Sequence, residues 1–267
     1  MAALPVNRAE TMSFKEVNRI LINHANLYAV VSGKGGTGKT TVCAAVASAL
    51  SLLGRSVCVV DLDVGLHNLD LALGLQDKAV FDLGDVMSGR TPLETALLTR
   101  SDLPNLSLLA APADYADMAA GDRFAEILGA LAGRFQYCFL DAPAGLGRGF
   151  ELAAANAGRA LVVSTPDTPC MMDSAAAAAR LTAMGVEEAR LVLNRVIRRL
   201  IRRRSAYNID EAMDFVGLPL AGVIFEDSAV TEAFNRCEPL LLTGAKAAAG
   251  FMDIAKRLEG FPVRPKF

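Results

Sequence analysis

A chain of 267 residues, 52% hydrophobic and 21% charged, is long enough for one large α/β domain and too apolar to be disordered. Its formal net charge of −2 gives no global attraction to nucleic acid or anionic membrane, and no apolar run approaches the length of a membrane span. Met1–Glu10 lacks the apolar core of a signal peptide. The five cysteines (Cys43, Cys58, Cys138, Cys170 and Cys237) include no C-x-x-C pair, so a cytoplasmic protein with reduced thiols is expected.

Residues 1–26 form an N-terminal extension. Phe14, Val17, Ile20, Leu21 and Ala25 recur at helical spacing with charged residues between them. The pattern suits a helix packed on the domain's own surface, an amphipathic membrane anchor or a partner-binding helix. The apolar run Leu27–Ser32 then reads as a buried strand. Gly33-Lys34-Gly35-Gly36-Thr37-Gly38-Lys39-Thr40-Thr41 follows, and the Ala- and Leu-rich stretch Thr40–Leu53 reads as a helix ending at Gly54. The glycine-rich stretch fits G-x-x-x-x-G-K-[ST]. Strand, glycine loop and helix together make a phosphate cradle: the glycines let backbone N–H groups converge, and the helix start adds its positive dipole end. Lys39 is expected to reach the β- and γ-phosphates of ATP and the Thr40 hydroxyl to hold Mg²⁺.

Ser56–Asp61 is a second buried strand, with Asp61 and Asp63 flanking Leu62 at its end. These are candidates for positioning metal-bound and attacking water, or else solvated turn acids. Thr91-Pro92-Leu93-Glu94 reads as a capping-box helix start, Leu106–Ala110 as a short strand and Asp122–Leu131 as an amphipathic helix. Tyr137–Asp141 is an apolar strand ending in a carboxylate, as a Walker-B acid does, and Asp141 is expected to hold the Mg²⁺ shell through water. Ala160–Ser164 is another strand, Thr168-Pro169 opens a helix to about Ala183, Leu191–Leu193 and Leu220–Ile224 are further strands, and Gly244–Leu258 is a closing helix. Apolar strands alternating with helices predict a mostly parallel sheet with helices on both faces, a P-loop NTPase fold. Ligands of such sheets sit at the carboxyl ends of the strands, where the glycine loop, Asp61 and Asp141 all fall. Arg195–Arg204 holds six arginines separated by Val196, Ile197, Leu200 and Ile201. A helix here would have a basic and an apolar side, suited to anionic lipid or to nonspecific DNA, or it is a solvated face.

Lys34, directly after the first glycine, is not required by the generic motif but fits the deviant form K-G-G-x-G-K-[ST]-[ST] over Lys34–Thr41. With it the chain resembles the MinD/ParA family of P-loop ATPases. Four further stretches carry the resemblance: Asp61-Leu62-Asp63-Val64-Gly65-Leu66-His67-Asn68-Leu69-Asp70, Asp141-Ala142-Pro143-Ala144-Gly145, Leu193-Asn194-Arg195 and Gly222-Val223-Ile224-Phe225-Glu226-Asp227. The first of these favours the MinD branch over ParA. The resemblance implies an ATPase domain over residues 27–260 that hydrolyses ATP in a nucleotide-dependent homodimer, a spatial switch in division-site placement. It implies that Gly35–Thr41 cradle the phosphates and that Lys34 acts across the dimer. Thr40 coordinates Mg²⁺ with Asp61 and Asp141 near it, Asp63 orients the attacking water and Asn194 reads adenine. A protein activator of hydrolysis is implied as a partner. Two alternatives remain: an FlhG-like or ParA-like regulator of flagella or DNA partition, and an adaptor that binds ATP without turning it over. His67 stands where the family has Arg, and Phe225 where it has Pro. Residues 261–267 form a short tail where the MinD branch would begin the linker to a basic membrane-binding helix. Attachment by that device is therefore expected to be absent, leaving weak or indirect contact with the inner face of the membrane, with nonspecific DNA the less favoured surface.

Overall fold

The computed structural model describes residues 24–65, 68–112 and 121–264. After a short 3₁₀ turn at His24–Asn26, the elements in order are β1 (Leu27–Val31), α1 (Lys39–Leu52), β2 (Val57–Asp61), α2 (Asn68–Ala72), α3 (Leu83–Met87), α4 (Leu93–Ala96), β3 (Leu97–Arg100), β4 (Leu103–Leu109), α5 (Gly121–Arg134), β5 (Tyr137–Asp141), α6 (Arg148–Ala155), β6 (Arg159–Ser164), α7 (Thr168–Ala183), β7 (Glu188–Val196), α8 (Arg198–Arg202), α9 (Ile209–Val216), β8 (Leu220–Phe225), α10 (Ser228–Asn235) and α11 (Ala248–Leu258). The strands form one eight-stranded sheet in the order β3-β4-β2-β5-β1-β6-β7-β8. Only the hairpin pair β3–β4 is antiparallel. The expected parallel sheet is therefore observed, with one antiparallel strand at its edge.

Strand side chains alternate between two buried faces, which is why the strands read as unbroken apolar runs. Tyr28 and Val30 of β1, with Val57 and Val59 of β2, pack under α1 and α11. Leu27, Ala29 and Val31, with Cys58 and Val60, pack on the other face against α5, α6 and α7. Four of the five cysteines are buried, and all five are free thiols, as expected.

The register sets the site. Asp61 and Asp141 are directly paired across β2 and β5, and Asp141 is paired with Val30 across β5 and β1. Both carboxylates thus end adjacent central strands and share the face that carries α1. The capping box expected at Thr91–Glu94 is not formed: Pro92 occupies the cap position without a side-chain hydrogen bond, and α4 is only four residues long. The two capping boxes that do form are Asp82/Asp85 on α3 and Asn208/Glu211 on α9. The expected amphipathic segment Phe14–Ala25 lies outside the described residues except for its end, as do Leu66 and His67.

Candidate functional site

The glycine loop joins β1 to α1 and stands at the centre of the sheet. Gly36 and Gly38 adopt positive φ of 83° and 84°, a conformation that would strain a side chain. Gly33 and Gly38 are also fixed by crowding. A Cβ on Gly33 would collide with the Asp173 backbone, and one on Gly38 with the Asn194 amide nitrogen. That amide donates from Nδ2 to the Thr37 carbonyl at 2.7 Å, tying the end of β7 to the loop. Gly145 N–H donates to the Ser32 carbonyl at 3.1 Å, so the 141–145 segment is held against the loop's other side. Lys34, Gly35 and Gly36 are exposed, whereas Thr37 and Lys39 are buried and Thr40 and Thr41 half-buried.

Lys39 Nζ lies 3.2 Å from Asp141 Oδ1, with side-chain exposures of only 7% and 1%. The neighbouring Thr40 side chain also favours the ionised form of Asp141. Asp61 is buried beside this pair and accepts at Oδ1 from the Asp63 N–H at 2.9 Å, while Asp63 itself is half-buried. Burial raises the Asp141 carboxyl even though the Lys39 charge and its hydrogen bonds oppose the shift. Burial, reinforced by the Asp141 charge, pushes Asp61 up to about 8. Two buried carboxylates therefore face one ammonium, and the site is short of positive charge.

This arrangement fits a hard cation and a phosphate ester. Among the described residues, Asp141 Oδ2 and Thr37 Oγ1 are buried without a hydrogen-bond partner. The oxygen donors of Thr40, Asp61 and Asp141 are those Mg²⁺ prefers, and no cluster of three or more His, Cys, Asp or Glu forms an all-protein metal cage among the described residues. A cation taking one or two carboxylates plus substrate phosphates needs no such cage.

The structure brings the motif residues Gly33–Thr41, Asp61, Asp63, Asp141 and Asn194 to one end of the sheet. Two features of this region lack a motif of their own, the backbone of Asp173 against Gly33 and Ser32 Oγ donating to the Lys34 carbonyl at 2.9 Å; Arg195 and Glu226 lie in the quoted stretches, but their ion pair at 3.0 Å is visible only in the structure. Asp227 has a structural role, capping α10 through Ala229 N–H and accepting from Ala247 N–H, both at 3.0 Å. The Phe225 ring lies under the Arg198 guanidinium at 4.1 Å from the ring centre. An open cavity of about 850 Å³ between β8 and α11 touches Phe225 and Glu226 but none of the phosphate-loop residues. It is therefore not taken as the phosphate site.

Residues 28–240 match the family described as the CobQ/CobB/MinD/ParA nucleotide binding domain. The septum site-determining protein MinD of Bacillus subtilis is 34% identical over 235 residues, covering 86% of this chain and 88% of that protein. Among solved structures, the MinC:MinD cell division protein complex of Aquifex aeolicus aligns with a TM-score of 0.82 at 32% identity, over 91% of this chain and 99% of that one. The septum site-determining protein MinD of Pyrococcus horikoshii, solved with Mg-ADP, aligns with a TM-score of 0.78 at 30% identity, over 88% of this chain and 96% of that one. The chain belongs to the MinD/ParA family of P-loop ATPases.

Proposed function

We propose that this protein hydrolyses ATP in a nucleotide-dependent homodimer and acts as a spatial switch in division-site placement. The observation that carries the reading is the buried Lys39–Asp141 pair beneath a loop of positive-φ glycines, with a second buried carboxylate, Asp61, left short of positive charge. The Mg-ADP held by the Pyrococcus horikoshii relative supports the same site. When bound, Mg²⁺ would neutralise charge on the phosphates. The chain's own groups supply the rest. Gly33 and Gly35–Thr41 present backbone N–H groups to the phosphates, with Lys39 beside them. Thr40, Asp61 and Asp141 hold the cation. Asp63, more exposed than Asp61 and braced on it by its own N–H, accepts a hydrogen bond from the attacking water. Asn194, already bonded to the loop, lies beside the adenine.

Lys34 is exposed on the rim of the loop while Lys39 is buried below it. That placement supports action of Lys34 on the partner subunit's phosphates. In this reading residues 27–260 are the ATPase domain, and the dimer engages a cellular surface and partner proteins. The complex of the Aquifex aeolicus relative with MinC supports a protein partner. No helix among the described residues is long and apolar enough to cross a membrane, so any membrane contact would be peripheral or would involve other residues. Light scattering with ATP, ADP and a slowly hydrolysed analogue, run beside phosphate release, tests the proposal. Dimers with ATP or the analogue but not ADP, with turnover, are expected. A nucleotide-independent monomer that releases phosphate would refute the dimer, and binding without phosphate release would refute the switch.

A further inference from the structure

Strand β8 closes the sheet, and among the described residues no further strand pairs with its outer edge. Helix α11 lies flush against β8, and two glycines allow the approach. A Cβ on Gly222 would collide with the Ile254 side chain, and one on Gly250 with Ile224. The open cavity of about 850 Å³ runs along this edge. Its floor is Leu220, Val223 and Phe225, all half-buried, and its wall is the α11 face that carries Ala249, Gly250 and Asp253. Lys246 and Arg264 stand exposed on the rim, and among the described residues neither has an ion-pair partner. An apolar groove beside an uncovered sheet edge is a surface that proteins ordinarily cover.

The chain itself supplies an apolar face of matching size: Phe14, Val17, Ile20 and Leu21 recur at helical spacing. Its point of attachment is close to the groove. Strands β1, β6, β7 and β8 are parallel neighbours in that order, so His24, just before β1, and Leu220, the start of β8, lie at the same end of the sheet. Three strand spacings, about 14 Å, separate β1 from β8. Val17 is seven residues from His24, a reach of up to about 23 Å. A helix over residues 14–21 would be about 12 Å long and about 10 Å across, a volume of about 900 Å³ that matches the cavity. Residues 265–267, which follow Arg264 at the rim, are too few to fill it. Glu16, set among these apolar residues, carries the charge opposite to Lys246 and Arg264. We infer that residues 14–21 dock in the groove between β8 and α11 of the same chain. The N-terminal segment then has its own domain as its resting partner, and a membrane or a partner protein would have to displace it.

Thiol accessibility in the full chain tests the docking. Ala249 is exposed in the groove, four native cysteines are buried, and Cys237→Ser removes the fifth. Ala249→Cys in that background places one reactive thiol on the α11 wall. A segment tethered by a few residues is held at roughly millimolar effective concentration, so an intrinsic dissociation constant of about 0.1 mM should slow maleimide modification roughly tenfold. Adding Val17→Asp and Leu21→Asp should restore the fast rate. Salt should change the rates little, because the contact is mainly apolar. In a second variant, Val17→Cys combined with Ala249→Cys, a short bismaleimide should join the two thiols within one chain. Thermal melts followed by circular dichroism report that each variant is folded, and the cross-link needs no aspartate. Equal modification rates with and without the aspartates, or no link within the chain, would overturn the docking. Links only between chains would make the occupant a second copy, and a fast rate after deletion of residues 265–267 would make it the tail. Either result would overturn the assignment to residues 14–21.

Discussion

Replacing Lys39 by methionine separates what the lysine does for ATP from what it does for the fold. Its ammonium is 3.2 Å from Asp141 Oδ1 with both side chains nearly inaccessible. At an effective dielectric of about 20 that separation corresponds to about 5 kcal/mol of attraction. Removing one partner of a buried pair typically costs about 3–5 kcal/mol, because the other charge stays buried. Asp141 has an escape, which is to protonate. From an unfolded value of about 3.9, that costs about 4 kcal/mol at pH 7 and about 1.5 kcal/mol at pH 5. Lys39→Met should therefore destabilise the nucleotide-free protein by about 3–4 kcal/mol at pH 7 and by about 1–2 kcal/mol at pH 5. Adding Asp141→Asn should restore most of the loss at both pH values. Neither variant should bind ATP by calorimetry, since the cation beside the phosphates is gone in both. Urea denaturation at the two pH values is the assay. A loss below about 1 kcal/mol at pH 7, or a loss independent of pH, would show that the pair does not carry this energy.

Lys34→Ala should leave ATP binding by the monomer largely intact and reduce both ATP-dependent dimerisation and phosphate release; normal light scattering with normal turnover would refute action across the dimer. Asp63→Ala should slow phosphate release and prolong the ATP-bound dimer, because the phosphate cradle does not include it; wild-type turnover would reassign Asp63 to structure. Asp61 titrates near 8 when folded and near 3.8 when unfolded. Its contribution to stability is therefore fully present below about 4 and is lost as pH rises through about 8. In metal-free, nucleotide-free protein, Asp61→Asn should remove that decline, so the variant's melting temperature should rise relative to wild type between pH 5.5 and 8.5. A constant difference across that range would mean that Asp61 is already ionised when folded.

The central fold was legible because its signals are local. The expected strand Tyr137–Asp141 matches β5 because an apolar run ends in a carboxylate there, and the helix expected from Thr168-Pro169 to about Ala183 matches α7 because Pro169 sits in its first turn; the Asp167 cap is seen only in the structure. The antiparallel strand β3 was missed: Leu97–Arg100 is a half-exposed edge strand whose existence depends on pairing with β4, which no local pattern announces. Strand β7 extends well beyond the expected Leu191–Leu193, because Glu188, Arg190 and Arg195 break the apolar run without breaking the ladder to β6 and β8. At the site, motif spacing placed the carboxylates correctly at strand ends. It could not reveal that Asn194 holds the Thr37 carbonyl, since the two are 157 residues apart in sequence.

Strand β7 joins the phosphate loop to the arginine-rich segment. Asn194 grips the phosphate loop through Thr37; the next residue, Arg195, turns into the left-handed region and is clamped by Glu226; α8 begins three residues later with its free arginines. The path from loop to arginine patch is thus five residues of one strand end, pinned at its start and again one residue on. A change in loop geometry that moves the Thr37 carbonyl must either break the Asn194 hydrogen bond or move the base of α8. Breaking it would leave a buried amide unsatisfied, at about 1–3 kcal/mol. Moving α8 would disturb the Arg198 guanidinium over the Phe225 ring and the packing of Ile201 on the core of β7, α7 and α9. Both responses have a cost, and the Asn194–Thr37 hydrogen bond ties the phosphate loop to the strand end from which α8 starts.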